Sequence, residues 1–216
     1  MGKDLATAHV AIIGATGHAG SLILKEALAR HLDVTAIVRN AKKLTVSVPF
    51  IEKDLYDLTT EDLAPFDVVV DAFNAPVGKE EMHQTSLAHL AKILANTSTR
   101  LLVVGGASSL FIDPEKTTRM IDQVPEDAPF YPTAFHMSQA LVHLKDTKGL
   151  RWTYISPAAF FNPTGERTGK YQLDDDFLHK NAQGESVVSM ADYAIALIDE
   201  VLADKHENEH VSVVSQ

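Results

Sequence analysis

The chain has 216 residues, 45% of them hydrophobic, which is enough for one well-buried α/β domain and too few for two of full size. Its 29 acidic residues against 19 Lys and Arg give a formal net charge of −10, which argues against gripping a nucleic-acid backbone or an anionic membrane by bulk electrostatics. There is no cysteine, so disulfides, thiolate metal sites and thiol nucleophiles are excluded and any redox chemistry belongs to a bound cofactor.

Residues 1–8 are short and polar and do not fit a secretory leader, and no apolar run reaches bilayer length, so a cytoplasmic protein without a membrane partner is expected. The apolar run 9–13 reads as a strand and leads directly into Gly14, Ala15, Thr16, Gly17, His18, Ala19 and Gly20. Residues 21–30 then read as a helix with Leu22, Ile23 and Ala27 on one face. Strand, glycine turn and helix in that order suit a diphosphate: the backbone turns sharply, comes close to the ligand and aims unpaired N–H groups at it. The spacing is GxxGxxG, one residue looser than the strict GxGxxG fingerprint, and the alternative is a tight βα turn that binds nothing.

Further strands are expected at 34–38, 48–51, 67–72, 101–104 and 152–155, with helices at 80–95 (Leu87, Leu90, Ala91, Leu94) and 132–146 (Met137, Leu141, Leu144). Strands apolar throughout imply burial on both faces, and the βα alternation predicts a Rossmann-like, doubly wound parallel sheet with helices on both faces. The whole chain is read as one domain, residues 1–216, in which 157–188 form a small C-terminal lobe or covering segment. A last helix starts near Ser189, whose spacing to Asp192 is that of a capping box, and runs through Ile195, Ile198 and Leu202 to a final strand at 211–214.

The second strand ends in Arg39 and Asn40 with Lys42 and Lys43 behind, where an NAD site commonly has a carboxylate; cations there favour NADP(H) over NAD(H), unless they form only a solvated basic turn. Asp54 with Leu55 follows the third strand and either borders the adenine or caps the next turn. Phe73, Asn74 and Ala75 after the fourth strand fall beside the cofactor ribose, and Gly105, Gly106 and Ala107 after the fifth leave room for a nicotinamide. Ser108 is a hydrogen-bond donor for a substrate or a turn cap. Phe160 and Phe161 either wall an acceptor ring or seal a satellite core.

The motifs GATGHAG, IVRN, DAFNAP, VVGGASS and WTYISPAAFF, in this order, resemble the atypical short-chain dehydrogenase/reductase superfamily, and more narrowly the NAD(P)H-flavin reductases related to biliverdin-IXβ/flavin reductase. The likeness continues through GERTGKY at 165–171 and SMADYAIALIDE at 189–200. It implies a Rossmann domain that binds NADP through Gly14, Thr16, Gly17, His18 and Arg39, with Pro157 on the cofactor side and a pocket roofed by the C-terminal segment. Carbonyl-reducing members use a tyrosine with a lysine four residues later, and this chain has no such pair: Phe135 follows Tyr131, Ala158 follows Tyr154 and Asp175 follows Tyr171 at that distance.

Hydride transfer to a flavin such as FMN or FAD, a quinone or a similar planar acceptor asks mainly for two aligned rings, so an NAD(P)H-dependent reductase is the expected activity. His136 and Tyr131 are the candidate proton donors, His136 sharing a helix face with Gln139 and His143; a plain solvent-facing polar face is the competing reading. A non-catalytic NADP sensor and, less favoured, a nucleotide-sugar epimerase are the alternatives, and a homodimer stays open. No metal is expected. HENEH at 206–210 satisfies HExxH but lies past the last helix, as a charged surface turn, and GERTGK at 165–170 is one residue short of a phosphate loop.

Overall fold

A computed structural model describes residues 7–216; the leader reading of residues 1–8 therefore lies largely outside the described residues. The elements run β1 (His9–Ile13), α1 (His18–Ala29), β2 (Asp33–Val38), β3 (Phe50–Glu52), α2 (Thr60–Leu63), β4 (Val68–Asp71), α3 (Met82–Leu94), β5 (Arg100–Val104), α4 (Tyr131–Asp146), β6 (Arg151–Pro157), β7 (Phe160–Asn162), β8 (Tyr171–Asp174), β9 (Val187–Ser189), α5 (Met190–Ala203) and β10 (Glu209–Ser215). The principal sheet has the order β3-β2-β1-β4-β5-β6-β10-β8. All its neighbouring strands are parallel except β8, which pairs antiparallel with β10. This is a Rossmann-like α/β fold, and its strand order reverses at β1, which lies between β2 and β4.

Successive residues of β1 serve opposite layers. Val10 and Ile12 pack with Ile23, Leu24, Tyr193 and Leu197 of α1 and α5, whereas Ala11 and Ile13 pack with Leu87, Leu90, Leu141 and Leu144 of α3 and α4. A strand covered on both faces leaves little room for polar side chains, which is why 10–13 of β1 and 68–70 of β4 read as unbroken apolar runs. Among the described residues no helix is long and apolar enough to cross a membrane.

Four details depart from expectation. Helix α1 begins at His18, three residues before the expected start, because Gly17 has the extended N-cap conformation and the loop ends sooner than the apolar pattern suggests. The third strand shortens to Phe50–Glu52, since Pro49 has no N–H to contribute and joins the ladder only through its carbonyl, which accepts from Ala36 N–H at 2.9 Å. The stretch 157–188, read from the sequence as one unit, divides between two sheets: β8 is an edge strand of the main sheet and β7 pairs with β9 in a second. Ser189 caps α5 by accepting from Asp192 N–H at 3.0 Å, but the Asp192 carboxylate completes no capping box. It accepts instead from the N–H groups of Thr168 and Gly169, each at 2.8 Å, and from the Thr168 hydroxyl, holding the covering segment to α5.

At the amino ends of the strands an ion network closes the sheet. Arg100, 1% exposed, donates to Glu200 Oε1 at 2.5 Å and Thr153 Oγ1 at 2.7 Å and pairs with Asp204 at 2.7 Å. Burial alone would raise the Glu200 pKa, but hydrogen bonds from Arg100 and His206 outweigh it and hold the carboxyl below its ordinary value. Removing one partner strands the other charge in the core. Arg100→Met is therefore expected to cost about 3 kcal/mol of stability in urea unfolding, whereas a loss below about 1 kcal/mol would show the network to be solvated.

Candidate functional site

The turn after β1 is built by contacts that forbid side chains. Gly14 has φ +76°, and a Cβ there would lie 2.5 Å from the Ala72 carbonyl oxygen at the end of β4. A Cβ on Gly20 would lie 2.0 Å from the Gly14 carbonyl oxygen, so the start of α1 rests on the turn itself. Gly17 differs: its nearest contact would be 3.3 Å, and its backbone borders open space. The N-terminus of α1 has no side-chain cap and no acidic residue in its first turn, which leaves its N–H groups and the positive end of its dipole for an anion.

That helix end opens onto a cavity of about 350 Å³ over the carboxyl ends of β1, β2 and β4, on either side of the point where the strand order reverses. Gly14, Thr16 and Gly17 line one wall, Arg39, Asn40, Lys43 and Lys53 the rim beyond the ends of β2 and β3, and Phe73 and Asn74 the far side. Arg39 and Lys43 are exposed and form no ion pair among the described residues, while Lys53 donates to Asp62 at 2.7 Å. A protein with a net charge of −10 thus gathers unpaired cations at one end of its cavity. A larger depression of about 640 Å³ lies elsewhere, beside the amino ends of β6 and β10. It lacks both a glycine turn and a helix N-terminus, so the smaller cavity is the candidate site.

Of the residues singled out from the sequence, Asp54 accepts from Tyr56 N–H at 2.9 Å, which caps the next turn, and it lines the cavity together with Leu55. Ala15, Gly20 and Ala75 are buried supports, and His18 and Ala19 form the first turn of α1 without lining the cavity. Gly105, Gly106 and Ala107 leave the end of β5, and Ser108, half-buried in the following turn, caps nothing. Tyr131 opens α4 and stacks on Phe135, with ring centroids 6.0 Å apart. His136 is not on a bare solvent face: its Nδ1 meets Gln84 Nε2 of α3 at 2.6 Å.

Pro157, Phe160 and Phe161 do not line the cavity, nor does any other residue of 157–188. Phe160 is 58% exposed, while Phe161 packs edge-on against Tyr193 at 4.8 Å and joins the α1/α5 core layer. The HENEH segment is not wholly a surface turn. His206 pairs with Glu200 at 2.6 Å and His210, inside β10, is buried against Ser156, so the two imidazoles serve separate partners and not one metal.

Sequence reading missed Lys53, although it directly follows β3 and strand ends are where such ligands gather. It also missed Asp71, the buried last residue of β4, whose carboxyl is pushed up to about 6 by burial, partly offset by the Phe73 N–H. No local pattern marks it, because an acid ending an apolar strand looks like a solvated terminus until the neighbouring helices are in place.

A glycine turn, an open helix end and a cavity at the reversal of strand order define a Rossmann-type nucleotide-binding protein. The NAD(P)H-binding family matches residues 14–201, and the chain belongs to that family. It is 49% identical over 209 residues to the Bacillus subtilis protein YwnB, covering 96% of this chain and 98% of that one. A Streptococcus pneumoniae crystal structure, provisionally named an NADH-flavin reductase, superposes with a TM-score of 0.92 at 42% identity over 97% of this chain and all of its own. A Bacteroides thetaiotaomicron structure, provisionally named an epimerase, gives a TM-score of 0.83 at 33% identity over 97% of each chain.

The glycine geometry separates packing from ligand approach. Gly20→Ala, which drives a methyl group into backbone, is expected to lower stability by about 1–3 kcal/mol in chemical unfolding. Gly17→Ala should change stability by less than about 1 kcal/mol, and any loss of nucleotide binding then reports ligand contact alone. Equal destabilisation by both substitutions would contradict the division.

Proposed function

We propose that the chain is an NAD(P)H-dependent oxidoreductase that passes a hydride to a flavin, a quinone or a similar planar acceptor, with NADP(H) preferred over NAD(H). The single observation that carries the coenzyme reading is the pair of unpaired cations, Arg39 and Lys43, on the cavity rim at the end of β2. A guanidinium there can hold a ribose phosphate with two parallel N–H bonds and lay its plane on the adenine, while Lys43 adds a point charge. The open N-terminus of α1 and the bare backbone of Gly17 fit the diphosphate. When bound, the nicotinamide supplies the hydride.

The acceptor reading rests on what the chain lacks and on its likeness. With no tyrosine and lysine four residues apart, nothing is arranged to lower a phenol pKa; Tyr154, the buried tyrosine near the strand ends, is pushed the other way, up to about 12, by burial. A flavin or quinone spreads the incoming charge over its own ring and needs no such acid. The streptococcal relative's provisional name points the same way. The Bacteroides relative's name favours epimerisation, which the missing pair disfavours.

Arg39→Ala is expected to weaken NADPH binding by at least about tenfold, the loss of one charge-assisted contact, and to leave NADH within about twofold, by calorimetry or fluorescence titration. Equal losses would remove the coenzyme preference. NADPH oxidation by purified protein should be stimulated by added FMN or a quinone. Tight NADPH binding without acceptor-dependent turnover would favour a nucleotide sensor.

A further inference from the structure

Two consecutive glycines leave the end of β5. Neither brings packing of its own, and a Cβ on Gly105 would lie 2.2 Å from the Tyr154 ring, so this turn must be oriented from outside. Strand β6 does so on both sides. Gly105 N–H donates to the Ile155 carbonyl at 2.8 Å. The Tyr154 hydroxyl accepts from Gly106 N–H at 3.4 Å and donates to the Met137 carbonyl at 3.3 Å. Ser156 Oγ donates to the Gly106 carbonyl at 2.7 Å and also stands 2.8 Å from His210 Nε2.

The proton count settles the direction of that last bond. A serine hydroxyl has one proton, and the Gly106 carbonyl has none to give, so Ser156 donates to Gly106 and must accept from His210. His210 therefore carries its proton on Nε2. Its Nδ1 is buried without a partner in a residue 7% exposed, and the Tyr154 ring lies edge-on at 5.3 Å. A second proton on Nδ1 would have no acceptor. Burial, reinforced by Lys145, Arg119 and Lys116 and opposed by Asp176, pushes the imidazole pKa down to about 3, which agrees with a neutral ring.

We propose that Ser156 and His210 are positioning residues for the nicotinamide end of the site. His210, as the neutral Nε2–H tautomer, orients the Ser156 hydroxyl, and that hydroxyl fixes the plane of the Gly106 peptide against which the nicotinamide lies and from which Ser108 is presented. The role rests on the nucleotide-dependent hydride transfer proposed above; the tautomer does not.

Long-range proton–nitrogen NMR correlations on the native protein near neutral pH test the tautomer directly. His210 is expected to show a protonated Nε2 and a bare Nδ1; a protonated Nδ1, alone or in an imidazolium, overturns the network. Binding tests the positioning role. Ser156→Ala and His210→Leu are each expected to weaken NADPH by about tenfold while leaving adenosine 2′,5′-bisphosphate, which lacks the nicotinamide, within about twofold. His210→Gln, which keeps an N–H donor, should stay within about threefold of the native protein. Unchanged NADPH affinity in Ser156→Ala, or equal losses for both ligands, overturns the role. Failure of the native protein to bind any nicotinamide nucleotide removes the role together with the proposed function, and the NMR result then stands as a property of the fold.

Discussion

A close approach of backbone to backbone at Gly14 is the constraint from which the rest follows. Three chain segments converge on Gly14: the end of β1, the end of β4 at Ala72 and the start of α1 at Gly20. Neither Gly14 nor Gly20 has room for a methyl group, and the positive φ of Gly14 adds a conformational demand that few other residues meet. Because the contact is backbone on backbone, no side-chain rearrangement can relieve it. It fixes where α1 begins, and hence where the unpaired N–H groups of its first turn open into the cavity.

Charge is arranged around that point in two different ways. At the carboxyl ends of the strands Arg39 and Lys43 have no acidic partner among the described residues, so their fields are available to a ligand. At the opposite ends Arg100 is enclosed by Glu200 and Asp204, and Arg151 by Asp204 and Glu207. The buried Arg100–Glu200 pair gains little net stability from its mutual attraction once desolvation is counted, and it joins the start of β5 to the end of α5. One end of the sheet is closed by matched charge, and the other is kept open by unmatched charge.

The covering segment shows how polar contacts can stand in for an extensive core. Arg167 makes a bidentate pair with Glu26 of α1, Asp192 holds the Thr168–Gly169 turn on α5, and Tyr171 and Arg30 both reach Asp199. The segment is thereby tied to the α1/α5 layer. Its edge strand β8 ends the sheet antiparallel to β10. Composition could mark 157–188 as a region of different texture but could not say which face it would join, since Arg167 and Asp192 are ordinary surface residues until Glu26 and Thr168 are brought to them.

Strands, helices and the glycine turn were legible because burial on both faces and close backbone approach leave direct marks on residue type: unbroken apolar runs such as 68–70, and glycine where Cβ cannot fit. Arg39 was legible too, since the end of β2 is adjacent in sequence to what it presents. Relations between distant residues were not. That Asp71 would be buried, that Asp192 would bind a turn 24 residues before it, and that His210 would complete a hydrogen-bond chain to Gly106 depend on separated parts of the chain being brought together, in the last case by β6 and β10 lying side by side in register. Sequence by itself determined the period and the breakers, which are local sterics; only the tertiary structure decided which polar groups meet, because hydrogen bonding acts over about 3 Å and carries no trace of chain separation.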